Sequence, residues 1–263
     1  MQSPPSHPRS AGVWDAPDRK RRLNEEIFTR IAGHYDRINR LLSFGRDAVW
    51  KQEMVALLPK ENVTACLDVA CGTGDLAALL RARYPNARIT GVDLTESMLA
   101  IARNKHAGRQ IEFVQGDMGR LAAADESVDI LTGGYALRNA PNLPAFLREV
   151  HRVLRPDGRA VFLEFSRSDF RPRAALDRLL LQLWGGFWGL IFHRDPRPYL
   201  YLAESLRRFP TRSQLRQDFA RAGLQIQSGI PRSLGLIEIC LAQKIVPSRY
   251  NLRADQPARF AAP

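Results

Sequence analysis

The chain has 263 residues, 45% of them hydrophobic, enough for the core of one α/β domain with additions, which excludes a disordered or fibrous protein. Its formal charge is +12, but the arginines are scattered and form no basic stripe interleaved with aromatics, so nucleic acid is not an expected partner. Cys66, Cys71 and Cys240 have neither metal-ligand nor disulfide-framework spacing, no metal is expected, and no apolar run approaches the roughly 18 residues of a spanning helix.

Residues 1–22 are rich in Pro, Ser and charge, with Trp14 the one bulky apolar side chain, and read as a disordered leader. From Glu25, Ile27, Phe28, Ile31, Tyr35, Ile38, Leu41 and Leu42 recur at helical spacing. Ser43-Phe44-Gly45 breaks that pattern, and Trp50, Met54, Val55 and Leu58 continue a second helix to Pro59. These helices precede the first strand and can cap the open end of a sheet. Cys66-Leu67-Asp68-Val69 is that strand, and Gly72-Thr73-Gly74 turns it into a helix opening at Asp75. The glycines remove side chains where a cofactor must touch backbone, at the carboxyl end of a strand. The next run, Arg88-Ile89-Thr90-Gly91-Val92-Asp93, ends in a carboxylate placed to accept both hydroxyls of a ribose.

Two cofactors fit this outline, and charge separates them. A dinucleotide would lay its pyrophosphate on the helix N-terminus. Asp68 and Asp75 flank that turn and would repel phosphate, whereas S-adenosylmethionine carries a sulfonium and an ammonium that carboxylates favour. The acidic loop points to S-adenosylmethionine.

Further along, residues 95–103 read as a helix and 111–115 as the third strand, followed by Gly116-Asp117-Met118. Asp117 is placed either to accept from an adenine amino group or to cap its loop, with Met118 packing on the ring. Residues 128–131 form strand four, leading into Gly133-Gly134-Tyr135-Ala136-Leu137-Arg138-Asn139. An amphipathic helix over 143–154 is stopped by Arg155-Pro156-Asp157-Gly158, and 159–165 is a fifth strand, apolar on both faces. The segment 176–192 is strongly apolar but carries Gly185, Gly186 and Gly189. Two readings stand for it: a buried helix packed on the sheet, or an acceptor entrance touching a bilayer. A helix over 199–205, one from Thr211 to Ala222 ended by Gly223, and strands over 224–228 and 236–243 complete the fold before a polar tail, 247–263. The alternation implies a doubly wound, mostly parallel seven-stranded sheet with helices on both faces. It forms one domain over 23–246, with a helical cap at 23–60 and an acceptor-side insertion at 166–210.

Several of these stretches together resemble the ubiquinone/menaquinone biosynthesis C-methyltransferase family. They are Tyr35-Asp36 with Asn39, Leu42-Ser43-Phe44-Gly45, Trp50-Lys51, the 67–75 loop, and Glu96-Ser97-Met98-Leu99. Leu137-Arg138-Asn139, Arg152-Val153-Leu154-Arg155-Pro156, Leu163-Glu164-Phe165-Ser166 and the 199–205 run continue the match, which covers roughly residues 24–244. The resemblance implies a class I methyltransferase fold and transfer of a methyl group from S-adenosylmethionine to a ring carbon of a prenylated quinol, demethylmenaquinol or a ubiquinol precursor. It implies a cytoplasmic enzyme, with peripheral contact at the inner face of the membrane and a homodimer compatible with it. Cofactor contacts then fall on Thr73, Asp93, Leu94, Met98, Asp117 and Met118, with Asp68, Gly72 and Gly74 shaping the pocket and Gly134 standing where Ser is common.

Arg138, Asn139 and Tyr35 are the expected catalytic residues. Arg138 is always protonated and would stabilise a phenolate or orient a water, with Tyr35, His34 and His193 as candidate members of a proton relay. The chain departs from the family at Ala136, a usual Gly; at Asp47, where a His or basic neighbour is frequent; and at Glu238, where a small residue is usual. These positions bear on the acceptor rather than the cofactor. They keep open methylation of another small phenol, at carbon or oxygen, and a non-catalytic cofactor-binding scaffold.

Overall fold

The computed structural model describes residues 16–60, 62–193 and 197–245, the side chains of 185, 187 and 189–200 excepted. Its centre is a sheet of seven strands in the order β3-β2-β1-β4-β5-β7-β6. In chain order these are β1 (Ala65–Val69), β2 (Arg88–Asp93), β3 (Ile111–Gln115), β4 (Val128–Gly134), β5 (Leu154–Phe165), β6 (Leu224–Arg232) and β7 (Ile237–Lys244). β1 to β5 run parallel, and β7 inserts antiparallel between β5 and β6. The chain first winds outward from β1 through β2 to β3, then returns to place β4 on the other side of β1. That reversal leaves a crevice at the carboxyl ends of β1 and β4, where open α/β sheets bind ligands.

The central strands are buried on both faces, and their side chains alternate between two cores. Leu67, Leu131 and Phe162 join one, with Phe146, Val150 and Phe219, while Cys66, Ile130 and Val161 join the other, with Met54, Leu80 and Leu99. This is the period of two expected for a pleated strand covered on both sides. In the first core the rings of Phe146, Phe162 and Phe219 meet edge to face at 6.1 and 5.9 Å. Each such buried side chain contributes about 1.5–3 kcal/mol.

The helices are α1 (Pro17–Ile31), α2 (Tyr35–Leu42), α3 (Asp47–Ala56), α4 (Asp75–Arg83), α5 (Glu96–Lys105), α6 (Ala136–Asn139), α7 (Leu143–Val153), α8 (Arg171–His193), α9 (Arg197–Arg208) and α10 (Arg212–Arg221). A 3-10 turn, Ala32–His34, joins α1 to α2. Residues 155–158 loop out of β5, since Val128 pairs with Leu154 but Ile130 with Arg159. Asp157 takes a left-handed φ of 64° there, so the expected Arg-Pro-Asp-Gly stop is a bulge. Thr211 and Gln214 form a reciprocal capping box on α10, and Gly223 closes it with φ +77°.

The start of the first helix also differs from the sequence reading. α1 begins at Pro17, inside the stretch taken for a disordered leader. Proline suits the first helical turn, and Lys20 Nζ donates to the carbonyls of Arg138 (3.0 Å) and Ala140 (2.6 Å). Tertiary docking outweighs the polar composition of this turn. Residues 1–15 of the expected leader and the expected tail 247–263 lie outside the described residues.

Candidate active site

The turn after β1 is held by left-handed residues and short backbone bonds. Ala70, Gly72 and Gly74 take φ of 51°, 53° and 84°. A Cβ on Gly74 would come within 2.8 Å of Phe113 and 2.9 Å of His106, so this position has no room for a side chain. The Gly72 N–H donates to Asp93 Oδ2 at 2.8 Å, and the Thr95 N–H donates to Asp93 Oδ1 at 2.9 Å. Asp93 is thereby fixed at the end of β2, and each oxygen keeps a lone pair for a further donor. Burial raises its pKa, and the backbone donors oppose that rise.

A cavity of about 650 Å³ opens beside this carboxylate, lined by Gly72, Asp93, Leu94, Met98, Asp117, Met118 and Gly134. Asp117 accepts from the Gly119 N–H at 2.8 Å and pairs with Arg21 at 3.2 Å. A Cβ on Gly134 would stand 3.2 Å from Leu76 Cδ1, so a serine there requires Leu76 to give way slightly. A fixed acidic group for a ribose diol, apolar walls for a purine and a glycine floor suit S-adenosylmethionine.

Three expected cofactor residues work from behind this cavity and do not line it. Asp68 is fully buried, accepts from the Ala77 N–H (3.1 Å) and the Thr132 hydroxyl (2.7 Å), and ties β1 to α4 and β4. Burial pushes its carboxyl up to about 7. The Thr73 hydroxyl donates to Asp36 at 2.5 Å, and Gly74 serves the turn. Asp68 and Thr73 instead border a small pocket under the loop, with Tyr35, Lys51 and Asp75.

Asp75 is met by Lys105 at 2.6 Å and Lys51 at 3.2 Å, and Asp68 is largely desolvated, so neither presents a bare charge to a ligand. Exclusion of phosphate by this loop is correspondingly weaker than the sequence alone suggests.

A second, larger chamber of about 1110 Å³ adjoins the first and shares Phe28, Tyr35, Tyr135 and Asn139 with it. Its walls are mostly apolar, with Leu42, Trp50, Phe165, Leu181, Trp184 and Ile237 prominent. Among the described residues, Trp50 Nε1 is a buried donor on this lining without a hydrogen-bond partner, while Arg138 Nε faces Glu164 at 3.5 Å. A buried donor left this way invites an oxygen-bearing guest.

The expected catalytic residues all reach this chamber. Arg138, on α6, donates from Nη1 to Ser205 Oγ at 2.6 Å, lies 3.5 Å from Glu164 and covers the Phe165 ring at 5.4 Å. Glu164 also accepts from the N–H groups of Arg138 (2.9 Å) and Phe165 (2.8 Å). Asn139 accepts from the Tyr201 hydroxyl at 3.1 Å and donates to the Tyr135 carbonyl at 2.8 Å. Burial pushes the Tyr35 phenol up to about 12, so it stands in both cavities as a neutral hydroxyl.

The histidines do not join them. His34 is exposed and lines neither cavity, and the side chain of His193 lies outside the described residues. Of the three departures, Ala136 is fully buried and Glu238 binds Ser166 and Arg212, so neither lines the chamber. Asp47 touches it indirectly, accepting from the Tyr135 hydroxyl at 2.8 Å. Sequence reasoning missed Tyr135, although its place just past the glycines ending β4 marks a strand's carboxyl end.

Residues 16–244 match the family model of the ubiE/COQ5 methyltransferase family. The chain belongs to that family. It is 38% identical over 226 residues to the 2-phytyl-1,4-naphtoquinone methyltransferase of Thermosynechococcus vestitus, covering 84% of this chain and 98% of that protein. It is 34% identical over 199 residues to the demethylmenaquinone methyltransferase of Staphylococcus aureus, covering 75% and 83%. Among solved structures, a SAM-dependent methyltransferase of Thermotoga maritima, titled a possible histamine N-methyltransferase, aligns with TM-score 0.59 at 17% identity. That alignment covers 84% of this chain and 99% of the other. A SAM-dependent methyltransferase of Aquifex aeolicus aligns with TM-score 0.56 at 14% identity, over 80% and 98%. These structures share the class I fold. Family membership makes the chain an S-adenosylmethionine-dependent methyltransferase.

Proposed function

We propose that this enzyme C-methylates a reduced, prenylated quinol in quinone biosynthesis, a demethylmenaquinol or a ubiquinol precursor. The observation that carries the reading is the apolar chamber joined to the cofactor cavity through Tyr35, Tyr135 and Asn139. A polar head can stand at that junction while a hydrocarbon tail lies along Phe28, Leu42 and Leu181. The named activities of the two relatives, on a phytyl naphthoquinone and on demethylmenaquinone, agree with such a guest.

Gly72, Asp93, Leu94, Met98, Asp117 and Met118 would hold the cofactor, which supplies an electrophilic methyl group. An aromatic carbon becomes nucleophilic when a neighbouring hydroxyl loses its proton, which the quinol has and the quinone lacks. Arg138 stabilises the resulting oxygen charge from the chamber wall, and Asn139 and Tyr35 orient the ring head. Mass spectrometry of lipid extracts incubated with the enzyme and isotope-labelled S-adenosylmethionine tests this. The quinol precursor should gain one labelled methyl; labelling of a tail-less phenol alone would reassign the acceptor.

The enzyme works at the inner, cytoplasmic face of a membrane by peripheral contact. No helix among the described residues is long and apolar enough to cross one. On α8, however, Leu176, Leu179, Leu180 and Leu183 are 50, 50, 52 and 64% exposed and recur at i, i+3, i+4 and i+7. Phe44, 76% exposed, stacks at 5.0 Å on Trp184, which lines the chamber. Arg171 and Arg178 on the same helix suit anionic headgroups. An apolar stripe beside the chamber lets a hydrophobic tail enter without crossing water, and vesicle flotation measures the contact.

A further inference from the structure

A polar pair at the junction of the two cavities is unused by the roles assigned so far. Tyr135, between β4 and α6, takes a left-handed φ of 59°, a conformation that a bulky residue keeps only where its surroundings hold it. Two bonds do so: its N–H donates to the Leu163 carbonyl at 2.6 Å, and its phenol donates to Asp47 Oδ1 at 2.8 Å. Asp47 opens α3 and is only 7% exposed. One turn later, Lys51 meets Asp47 Oδ2 at 2.6 Å and is itself shared with Asp75 at 3.2 Å. The pair and Lys51 therefore tie the turn between β4 and α6 to α3 and α4, and the Tyr135 side chain lines both the cofactor cavity and the acceptor chamber.

We propose that Tyr135 and Asp47 form a proton relay, in which the Tyr135 oxygen takes the proton of the acceptor's ring hydroxyl as its own proton passes to Asp47. The inference rests on the reading of the acceptor as a quinol or another phenol. A phenol whose hydrogen is committed to a carboxylate still has lone pairs with which to accept a second hydroxyl. The acceptor's O–H bond breaks, its electron pair stays on the acceptor oxygen and spreads to the ring carbon, and an O–H bond forms on Asp47. When the methylated ring regains aromaticity, its C–H proton leaves to solvent. The proton held on Asp47 then returns through Tyr135 to the ring oxygen, so each turnover exports one proton.

The surroundings suit a relay rather than a stored phenolate. Burial pushes the Tyr135 phenol well above its ordinary value, and Asp47 adds to that rise, so Tyr135 gives up its proton only as it receives another. Burial alone would lower the Lys51 ammonium, but Asp47 and Asp75 outweigh it, so Lys51 stays charged. Asp75 keeps that charge balanced while Asp47 is protonated. The charged and titratable groups facing the pair are Tyr35 from α2, Lys51 from α3, Asp75 from α4 and Glu164 from β5. Tyr135 is the catalytic residue of the relay; Asp47 and Lys51 are positioning residues that act through it.

The test compares wild type, Tyr135→Phe, Asp47→Asn and the double variant on demethylmenaquinol with a short prenyl tail and on tail-less 1,4-naphthohydroquinone. Turnover is followed across the neutral to alkaline range, with calorimetry for cofactor affinity and a melting curve beside it. Each single variant should lose roughly a hundredfold in kcat, the lower end for a positioned proton acceptor. Cofactor affinity should hold, and the double variant should be no slower than either single one. The residual rate of the variants should climb with pH toward the hydroxyl's own pKa, where wild type is flat. Tyr135→Phe with near-normal kcat and the wild-type pH profile would overturn the relay. Should that variant fold poorly, Asp47→Asn decides, because an amide oxygen keeps the hydrogen bond but cannot take a proton; an unchanged profile there also overturns it. If wild type methylates neither quinol nor any other phenol, the acceptor reading fails and the relay with it.

Discussion

Arg138 is both a wall of the acceptor chamber and half of a buried ion pair. Removing it leaves Glu164, 3% exposed, without its cation, and breaking a buried pair this way costs about 3–5 kcal/mol. Arg138→Ala is therefore expected to lower the unfolding midpoint in urea as well as activity. Arg138→Lys keeps the charge but not the fork that reaches both Ser205 and Glu164, so it should lose most turnover at a smaller stability cost. Near-wild-type kcat in the lysine variant would remove Arg138 from the chemistry. Asp68 carries a pH signature. Its folded pKa of about 7 lies above the roughly 3.9 of an unfolded Asp, so between those values the folded state binds more protons. Stability from this group is therefore present below about pH 4 and lost as pH rises toward 7. Asp68→Asn should flatten that part of the stability-pH curve; an unchanged slope would mean the carboxyl is ionised throughout. At this scale, the features legible in the sequence were those set locally. The glycine turn after β1 and the carboxylate ending β2 were readable because strand, turn and helix follow a short grammar, whereas the bond from the Gly72 N–H to Asp93 came only with the structure. The partnership of Tyr135 with Asp47 spans 88 residues and exists only once the fold brings the turn after β4 to the start of α3. The neutralisation of Asp75 by Lys51 and Lys105 is hidden for the same reason.

Among the elements, α8 carries the clearest expectation. Its leucines at 176, 179, 180 and 183 face solvent, while Leu181 is 7% exposed and turns to the chamber. The face carrying Leu181 fits the buried-helix reading, and the exposed stripe is the surface on which the proposed membrane contact rests. Leu179→Glu with Leu183→Glu should leave melting temperature unchanged. Each buried leucine contributes about 1.5–3 kcal/mol, so the pair should weaken flotation with anionic vesicles by well over roughly tenfold. Equal flotation of variant and wild type would remove the membrane role; a dimer in wild type that becomes a monomer in the variant would assign the stripe to self-association. The three glycines of α8 did not break it, since a helix packed along α9 tolerates a local cost of roughly 1 kcal/mol each. α1 was cut short in the sequence reading because composition cannot register that Lys20 docks on the carbonyls of Arg138 and Ala140.

For the whole molecule, the doubly wound sheet was legible because its signals are regular. Apolar runs ending in Asp93 or glycine alternate with helices, and β1 and β5 are apolar on both faces. The crevice above β1 and β4 follows from that topology, and so does the cofactor cavity. The acceptor chamber does not follow, because α1, α2, α6, α8 and α9 build it from parts far apart in the chain. Which hydroxyl-bearing ring enters it is the central claim. The measurement that tests it most directly is nuclear magnetic resonance of the product formed with carbon-13-methyl-labelled S-adenosylmethionine, offering short-tailed demethylmenaquinol and its oxidised quinone in parallel. The account predicts one labelled methyl bonded to a ring carbon, from the quinol alone. A methyl on oxygen, or equal labelling of the quinone, would contradict it.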